Sequence, residues 1–585
     1  LEVLNLLFWI QWESLRSPFP KEIRVSSEHL SVEKKILLSQ DIRKLPGLRP
    51  SGSQPLHPVA AMYSLVFLCA QKVVSHYTTL QDALGFLPKE LYPVLFKAAF
   101  MDKRTPSLQQ LVQTWPFPVL SFQKLLRKCQ HCERALIREK PNKLCIQAII
   151  LGVVTYLMKM LEDRTCSKRS FFITCDSYTW LLKPLHVKIK ILDMTGLQDE
   201  GHGPESMSLW SRTVTLAKAC LDVSKQQSKC LKRSSKRRKG PYSSSVALPA
   251  PQPVSVDVWV DLFVNSTSYV VLKDALQINS GNALRLRCRD FRAEELSIAS
   301  TVGLLEFLDP AGVRQVDLRF NNLGLSGLRV VLPHLTKFTN LASLKLPYSN
   351  IDVRRLTVGM EGSLQYFATQ LSRLTCLKEL NLGSSRLSGK LRQLLGDLRS
   401  PLESLELAFC YLLPNDFAYL SQSLHTSALK KLDLSGNNLS DSLLQPLQGL
   451  LTEAASSLLH LDIMECRLMD SHLNLLLPAL CRCTRLRYLG VFGNPISAKG
   501  VKNLLHKTVG LLDLRLVIYP YPVDCYGDDL PWPPTSSNLL NGSVDEEKFS
   551  RVSNELQQML LSANRGDAIW TTNLCRHNSL DYFSL

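Results

Sequence analysis

A chain of 585 residues is longer than one hydrophobic core normally fills, so several domains or a repeat array are required. With 45% apolar and 21% charged residues and no run of about 18 apolar ones, the composition is that of an ordinary globular protein, and no membrane association is expected. The net charge of +18 is partly local, because seven positives (Lys229, Lys232, Arg233, Lys236, Arg237, Arg238 and Lys239) share one stretch; a protein-wide nucleic-acid surface does not follow.

The first methionine is Met62, and residues 1–61 hold many Ser, Pro, Lys and Arg residues without a sustained period. They read as a disordered extension or as an artefact of gene prediction. From Met62 the pattern turns helical. The stretch 62–100 reads as helices broken at Pro88, and 107–126 as a helical hairpin interrupted at Trp115-Pro116-Phe117-Pro118. A further helical pattern covers 143–162, so 62–185 is expected to be a helical N-terminal region.

Residues 186–197 resemble a short strand and turn, and 254–264 alternate like a strand, which makes 186–312 a set of degenerate repeats. Between these strands, 228–253 is first basic and then Ser/Pro-rich, as expected of an exposed mobile loop. The basic run has three readings: a nuclear-localisation signal, a nucleic-acid contact or a solubilising loop.

From residue 313 to about 520 one pattern recurs, L-x-x-L-x-L-x-x-N/C-x-L. Copies start at Val313, Leu341, Leu377, Leu402, Leu429, Leu458, Leu486 and Leu511, spaced 28, 36, 25, 27, 29, 28 and 25 residues apart. That is the longer leucine-rich-repeat period, so the fold class is an α/β leucine-rich-repeat solenoid, a horseshoe of ribonuclease-inhibitor-like repeats. Positions one, four and six point inward from a short parallel strand. Position nine (Asn321, Cys410, Asn437, Cys466, Asn494) lies where the backbone leaves the strand and can satisfy buried backbone groups, with Ser349 and Ser385 doing so more weakly. Position five gives an inner-face row of Asp317, Lys345, Asn381, Glu406, Asp433, Asp462 and Gly490, with Glu379 beside it at position three. This mildly acidic stripe is either a docking surface for a partly basic protein or a set of ordinary solvated strand residues. Residues 521–585 form a cap, with an amphipathic helix over 545–563 carrying Phe549, Val552, Leu556 and Leu560 on one side.

No nucleophile elbow, phosphate loop or dinucleotide fingerprint stands in a suitable context, so neither an enzyme nor a cofactor is expected. Cys129-Gln130-His131-Cys132 has metal-like spacing, with Cys145 further on, but a second pair is missing. The 16 scattered cysteines suit a reduced intracellular protein.

The segments 87–103, 114–123, 191–197, 316–325, 400–410, 430–437, 521–526 and 581–585 together resemble the leucine-rich-repeat family of PRAME, the preferentially expressed antigen in melanoma. The resemblance covers 62–585. It implies a cytoplasmic adaptor that restrains Toll-like-receptor signalling to NF-κB by binding the inhibitor-of-κB kinase β subunit and hindering assembly of the kinase core complex. It also implies an alternative, a substrate receptor of an elongin–cullin ubiquitin ligase. The matching elongin contact is Thr79, Leu80, Ala83 and Leu84, with Leu84 where the pattern wants a small residue and Ala83 one place early. The basic run occupies the position of a basic run in PRAME-like proteins, which leaves a partly nuclear location open.

Overall fold

The computed structural model describes residues 64–126, 142–166, 189–197, 212–237, 255–354, 358–439, 441–527 and 531–574. Residues 1–61 and the Cys129–Cys132 motif therefore lie outside the described residues.

Four helices open the described chain: α1 (Leu65–Ser75), α2 (Tyr77–Ala83), α3 (Tyr92–Met101) and α4 (Thr105–Gln113). Their apolar faces meet around Phe96, which lies edge-on to Trp115 and Phe122. Such pairings add to the area burial of large rings. Helix α5 (Lys143–Cys166) is long and apolar enough to cross a membrane, but Ile146, Ile149, Val153 and Leu157 are buried in the core. It packs on α4 and on α6 (Arg212–Arg237), which accounts for its composition.

Among the described residues the strands form one parallel sheet of thirteen, hydrogen-bonded in chain order from β1 (Val119–Ser121) to β13 (Ile569–Thr571). Two strands are long, β3 (Val256–Val264) and β4 (Leu284–Ala293); the others span three residues. Each repeat sends a strand along one face and a helix or irregular segment back along the other. Its leucines stack on those of the next repeat: Leu429, Leu432 and Leu434 are all fully buried. A stack of this kind spreads one core along the whole array.

The eight copies correspond to β5 (Gln315–Asp317), β6 (Ser343–Lys345), β7 (Glu379–Asn381), β8 (Ser404–Glu406), β9 (Lys431–Asp433), β10 (His460–Asp462), β11 (Tyr488–Gly490) and β12 (Leu516–Ile518). The position-nine reading is visible directly. Asn494 accepts from the N–H groups of Cys466 and Leu468 at 2.9 and 3.0 Å and donates to the carbonyls of Ile463 and Val491. Asn437 does the same between Leu412, Leu407 and Leu434, and Asn321 between Leu296 and Ala293. The Cys410 and Cys466 thiols donate to the carbonyls of Leu382 and Leu434. Ser349 and Ser385 depart from the expectation: their buried hydroxyls have no partner among the described residues.

Four further expectations are corrected. The sheet begins at β1, inside the stretch assigned to helices; after Pro118 the chain runs into a strand and only then into a helical turn, Phe122–Leu126. Three residues are too few to display a period of two. The basic segment is helical as far as Arg237, because α6 packs on α5 and Gln227 holds the backbone of Gly281 and Ala283. The last copy is framed on Leu514 rather than Leu511: β12 is Leu516–Ile518, in register with β11, and both leucines are buried, so either satisfies the pattern. Finally, the cap adds a strand as well as a helix, since β13 extends the sheet from β12.

In that cap, α7 (Glu546–Ser562) is capped by Asp545, which accepts from Glu547 and Lys548 N–H, and buries Val552, Leu556 and Leu560. Just beyond it the buried Arg565 guanidinium donates to three carbonyls, those of Val509 and Leu514 at 2.7 Å and of Leu511 at 3.0 Å. These lie just past the helix of the last full repeat; of the three, the Leu511 carbonyl also accepts from Leu514 N–H.

Candidate interaction surface

Every second residue of a strand points away from the leucine core, so stacking thirteen strands builds a continuous inner face. The position-five row lies on it in strand-to-strand register, Asp317 beside Lys345, then Asn381, Glu406, Asp433, Asp462 and Gly490. Neighbouring strands stand about 4.8 Å apart, close enough for opposite charges to pair across them.

That pairing changes the character of the row. Asp317 is buried and held by Arg319 Nε at 2.9 Å. Lys345 lies 3.8 Å from Glu379. Glu406 accepts from the Asn381 amide at 2.8 Å and from Lys431 at 3.0 Å. Burial works to raise the Glu406 carboxyl, but Lys431 and Lys345 outweigh it and hold its pKa below the ordinary value. Asp433 is half-buried and accepts from Ser435 N–H at 2.9 Å. Burial and then the Asp462 charge push its carboxyl up to about 6. Asp462 is buried, accepts from Tyr488 hydroxyl at 2.9 Å and lies 2.7 Å from His460 Nε2. The expected acidic stripe is thus a charge lattice tied largely within itself.

The lattice extends on the N-terminal side beyond the eight copies and gives way to apolar residues within the last two. Along β4, Arg285, Arg287, Arg289 and Arg292 meet Asp257, Asp309, Asp261 with Asp290, and Glu294 respectively. Asp261 also accepts from Gly196 N–H at 2.6 Å, and burial, then Asp290, pushes its carboxyl up to about 6. At the other end Tyr488, Phe492, Leu516 and Ile518 form an apolar cluster with Met464 and Tyr521. Lys431, the β4 arginines, Arg319, His460 and Tyr488 are inner-face residues that sequence reasoning did not single out. For the β4 arginines and Lys431 the signal is the alternation in LRLRCRDFRA and a lysine at position three opposite an acidic neighbour.

The other expected sites are less available. Thr79 is exposed on α2, whereas Leu80, Ala83 and Leu84 are buried in the chain's own core, Leu80 completely. They are therefore not presented to a partner, because α2 uses that face to pack within the N-terminal helices. Lys229 and Lys232 are exposed on α6; Arg233, Lys236 and Arg237 continue the helix, and Arg238 and Lys239 lie outside the described residues. No group of side chains able to hold a metal ion occurs among the described residues, and Cys145 is buried with its thiol pushed up to about 11 by burial.

The model of the PRAME C-terminal domain matches residues 257–584, and that of the PRAME N-terminal domain matches 63–139. The chain belongs to the PRAME family. This PRAME-family chain is 57% identical to leucine-rich repeat-containing protein 14 of Xenopus laevis and 48% identical to that of Homo sapiens. Each match covers 90% of this chain and all of the relative. Among solved structures it is similar to the yeast complex of Rad7 and Elc1, at 15% identity and a TM-score of 0.29, over 74% of this chain and 94% of that one. A PRAME-family leucine-rich-repeat protein is a protein-interaction scaffold.

Proposed function

We propose that this scaffold acts without catalysis, in the cytoplasm, as a negative regulator of Toll-like-receptor signalling to NF-κB. It binds the inhibitor-of-κB kinase β subunit and hinders assembly of the kinase core complex. The observation that carries the reading is the unbroken inner face, on which Lys345 and Lys431 flank Glu379 and Glu406 over four adjacent strands, each lysine paired with one of the glutamates. Such a lattice offers a partner fixed charges of both signs and steers its approach. The burial of Leu80, Ala83 and Leu84 gives the ubiquitin-ligase alternative no support.

The test uses the full chain, because β4 pairs with β5 and a cut near residue 300 would split the sheet. The wild type should co-precipitate with the kinase β subunit from stimulated cells. The exchange Glu406→Lys/Lys431→Glu keeps an internal ion pair but reverses the polarity presented, and it should weaken the association at least tenfold. Absence of the wild-type association would end the kinase reading; an association unmoved by the exchange would move it off the inner face.

A further inference from the structure

A second surface lies along the rim, at pattern position eight, where the chain leaves each strand. There the backbone is left-handed in seven successive repeats: Phe320 (φ 58°), Tyr348 (56°), Ser384 (60°), Phe409 (56°), Gly436 (69°), Glu465 (53°) and Gly493 (68°). The conformation is imposed by the stack. The N–H groups of Tyr348, Ser384, Phe409 and Gly436 donate to the carbonyls of Gly383, Ala408, Ser435 and Met464 in the next repeat. Glycine is the residue that accepts this geometry without strain, and two repeats use it.

Three repeats instead place a large aromatic there, and it stays in contact with solvent. Phe320 is 48% exposed, Tyr348 52% and Phe409 39%, with Tyr411 two residues on, also left-handed, at 59%. Phe320 and Tyr348 stack at 4.7 Å, and the Phe409 ring lies over Gly436, where a Cβ would collide with it. The small Ser384 separates the two aromatic groups. Backbone strain and apolar exposure are both unfavourable for the isolated fold, and glycine would relieve the first and serine the second.

The rim also carries charge. Arg354 sits over the Tyr411 ring at 5.6 Å, and Arg354 and Arg386 share the single carboxylate of Asp352 at 3.0 and 3.3 Å. Two guanidiniums against one carboxylate leave a positive excess beside the aromatics, the reverse of the acidic pairs along the inner face. We propose that this rim is a separate docking surface for a protein segment that sets apolar side chains next to an acidic one. Its apolar groups would stack on Phe320, Tyr348 and Phe409, and its carboxylate would meet Arg354 at Tyr411. Tyrosine and arginine are residue types that dominate binding energy at such contacts.

The inference does not depend on the kinase reading, and its test is independent of that partner. The probe is a fluorescein-labelled synthetic peptide alternating leucine and glutamate, titrated against the full chain by anisotropy. Binding that weakens with added salt is expected, together with a loss of about tenfold on Tyr348→Gly or Tyr411→Ser and a smaller loss on Arg354→Gln. The exchange Glu406→Lys/Lys431→Glu should leave it unchanged. The thermal midpoint of Tyr348→Gly should not fall, since glycine suits the left-handed backbone. Equal binding of a leucine–lysine peptide, or no binding of the glutamate peptide, overturns the proposal. So does a loss of binding that appears only together with a lowered thermal midpoint, because it would assign the aromatics to the fold.

Discussion

Replacing Asp433 by asparagine should stabilise the protein at neutral pH. The side chain keeps its shape, and its amide oxygen still accepts from Ser435 N–H, so the change removes little but the charge. In the folded chain the Asp433 carboxyl titrates at about 6, against an ordinary value of 3.8, through burial and the Asp462 charge. A raised carboxyl binds its proton more tightly folded than unfolded. Its favourable contribution is complete below the unfolded value and lost as pH rises through about 6. At about 1.36 kcal/mol per unit the ionised form then costs up to about 3 kcal/mol; water still reaches the half-buried group, which puts the realistic range at about 1–3 kcal/mol. Urea unfolding of both proteins between pH 4 and 8 reads the difference, with other titrations cancelling. The asparagine variant should be the more stable above pH 7, the gap should close through pH 6, and it should vanish near pH 4. A variant less stable than wild type at pH 7.5 would falsify the assignment of an uncompensated carboxylate to this row.

Arg565→Ala takes away the donor to the Val509 and Leu514 carbonyls, at about 1–3 kcal/mol each when buried, while the Leu511 carbonyl keeps Leu514 N–H. Amide exchange over 546–571 should accelerate at least a hundredfold while β5–β9 keep their protection, and uniform protection would refute it. Leu80→Asp places a charge in a fully buried site and should unfold the N-terminal helices, by more than about 3 kcal/mol, as read by circular dichroism. An elongin-binding assay should therefore use exposed Thr79, and a fully folded Leu80→Asp protein would contradict the packing of α2. Among the described cysteines, exposed Cys376 should alkylate first and Cys481 more slowly. Cys410, pushed up to about 12 by burial, and Cys466 should resist until the protein unfolds. Mass spectrometry after iodoacetamide treatment decides the order.

The eight copies could be read because each supplies leucines at fixed offsets, and stacking demands them at every repeat. What escaped reading lacks that redundancy. In β1 there are three residues and no leucine frame; β4 alternates clearly but slips between Arg289 and Phe291, where the register to β3 shifts. At Leu511 and Leu514 two leucines satisfied the same position, and only pairing with β11 decides between them. For the surface, the identity of the position-five row was legible, but its exposure was not. Whether Glu406 stands free depends on Lys431 and Asn381, which come from the strands on either side and are brought beside it only by the stack. The rim was invisible for a related reason: nothing in the pattern says that position eight is left-handed, and an aromatic there looks like any other loop residue.

The thirteenth strand has a consequence during synthesis. Until β13 arrives, β12 (Leu516–Ile518) is an open edge of consecutive apolar residues, and its partner is translated about fifty residues later. An unpaired apolar edge is a template for other chains. A nascent chain leaving the ribosome thus passes through a window in which that edge is unpaired. A stop codon anywhere between 519 and 568 would make the window permanent, turning a nearly full-length product into an aggregating one.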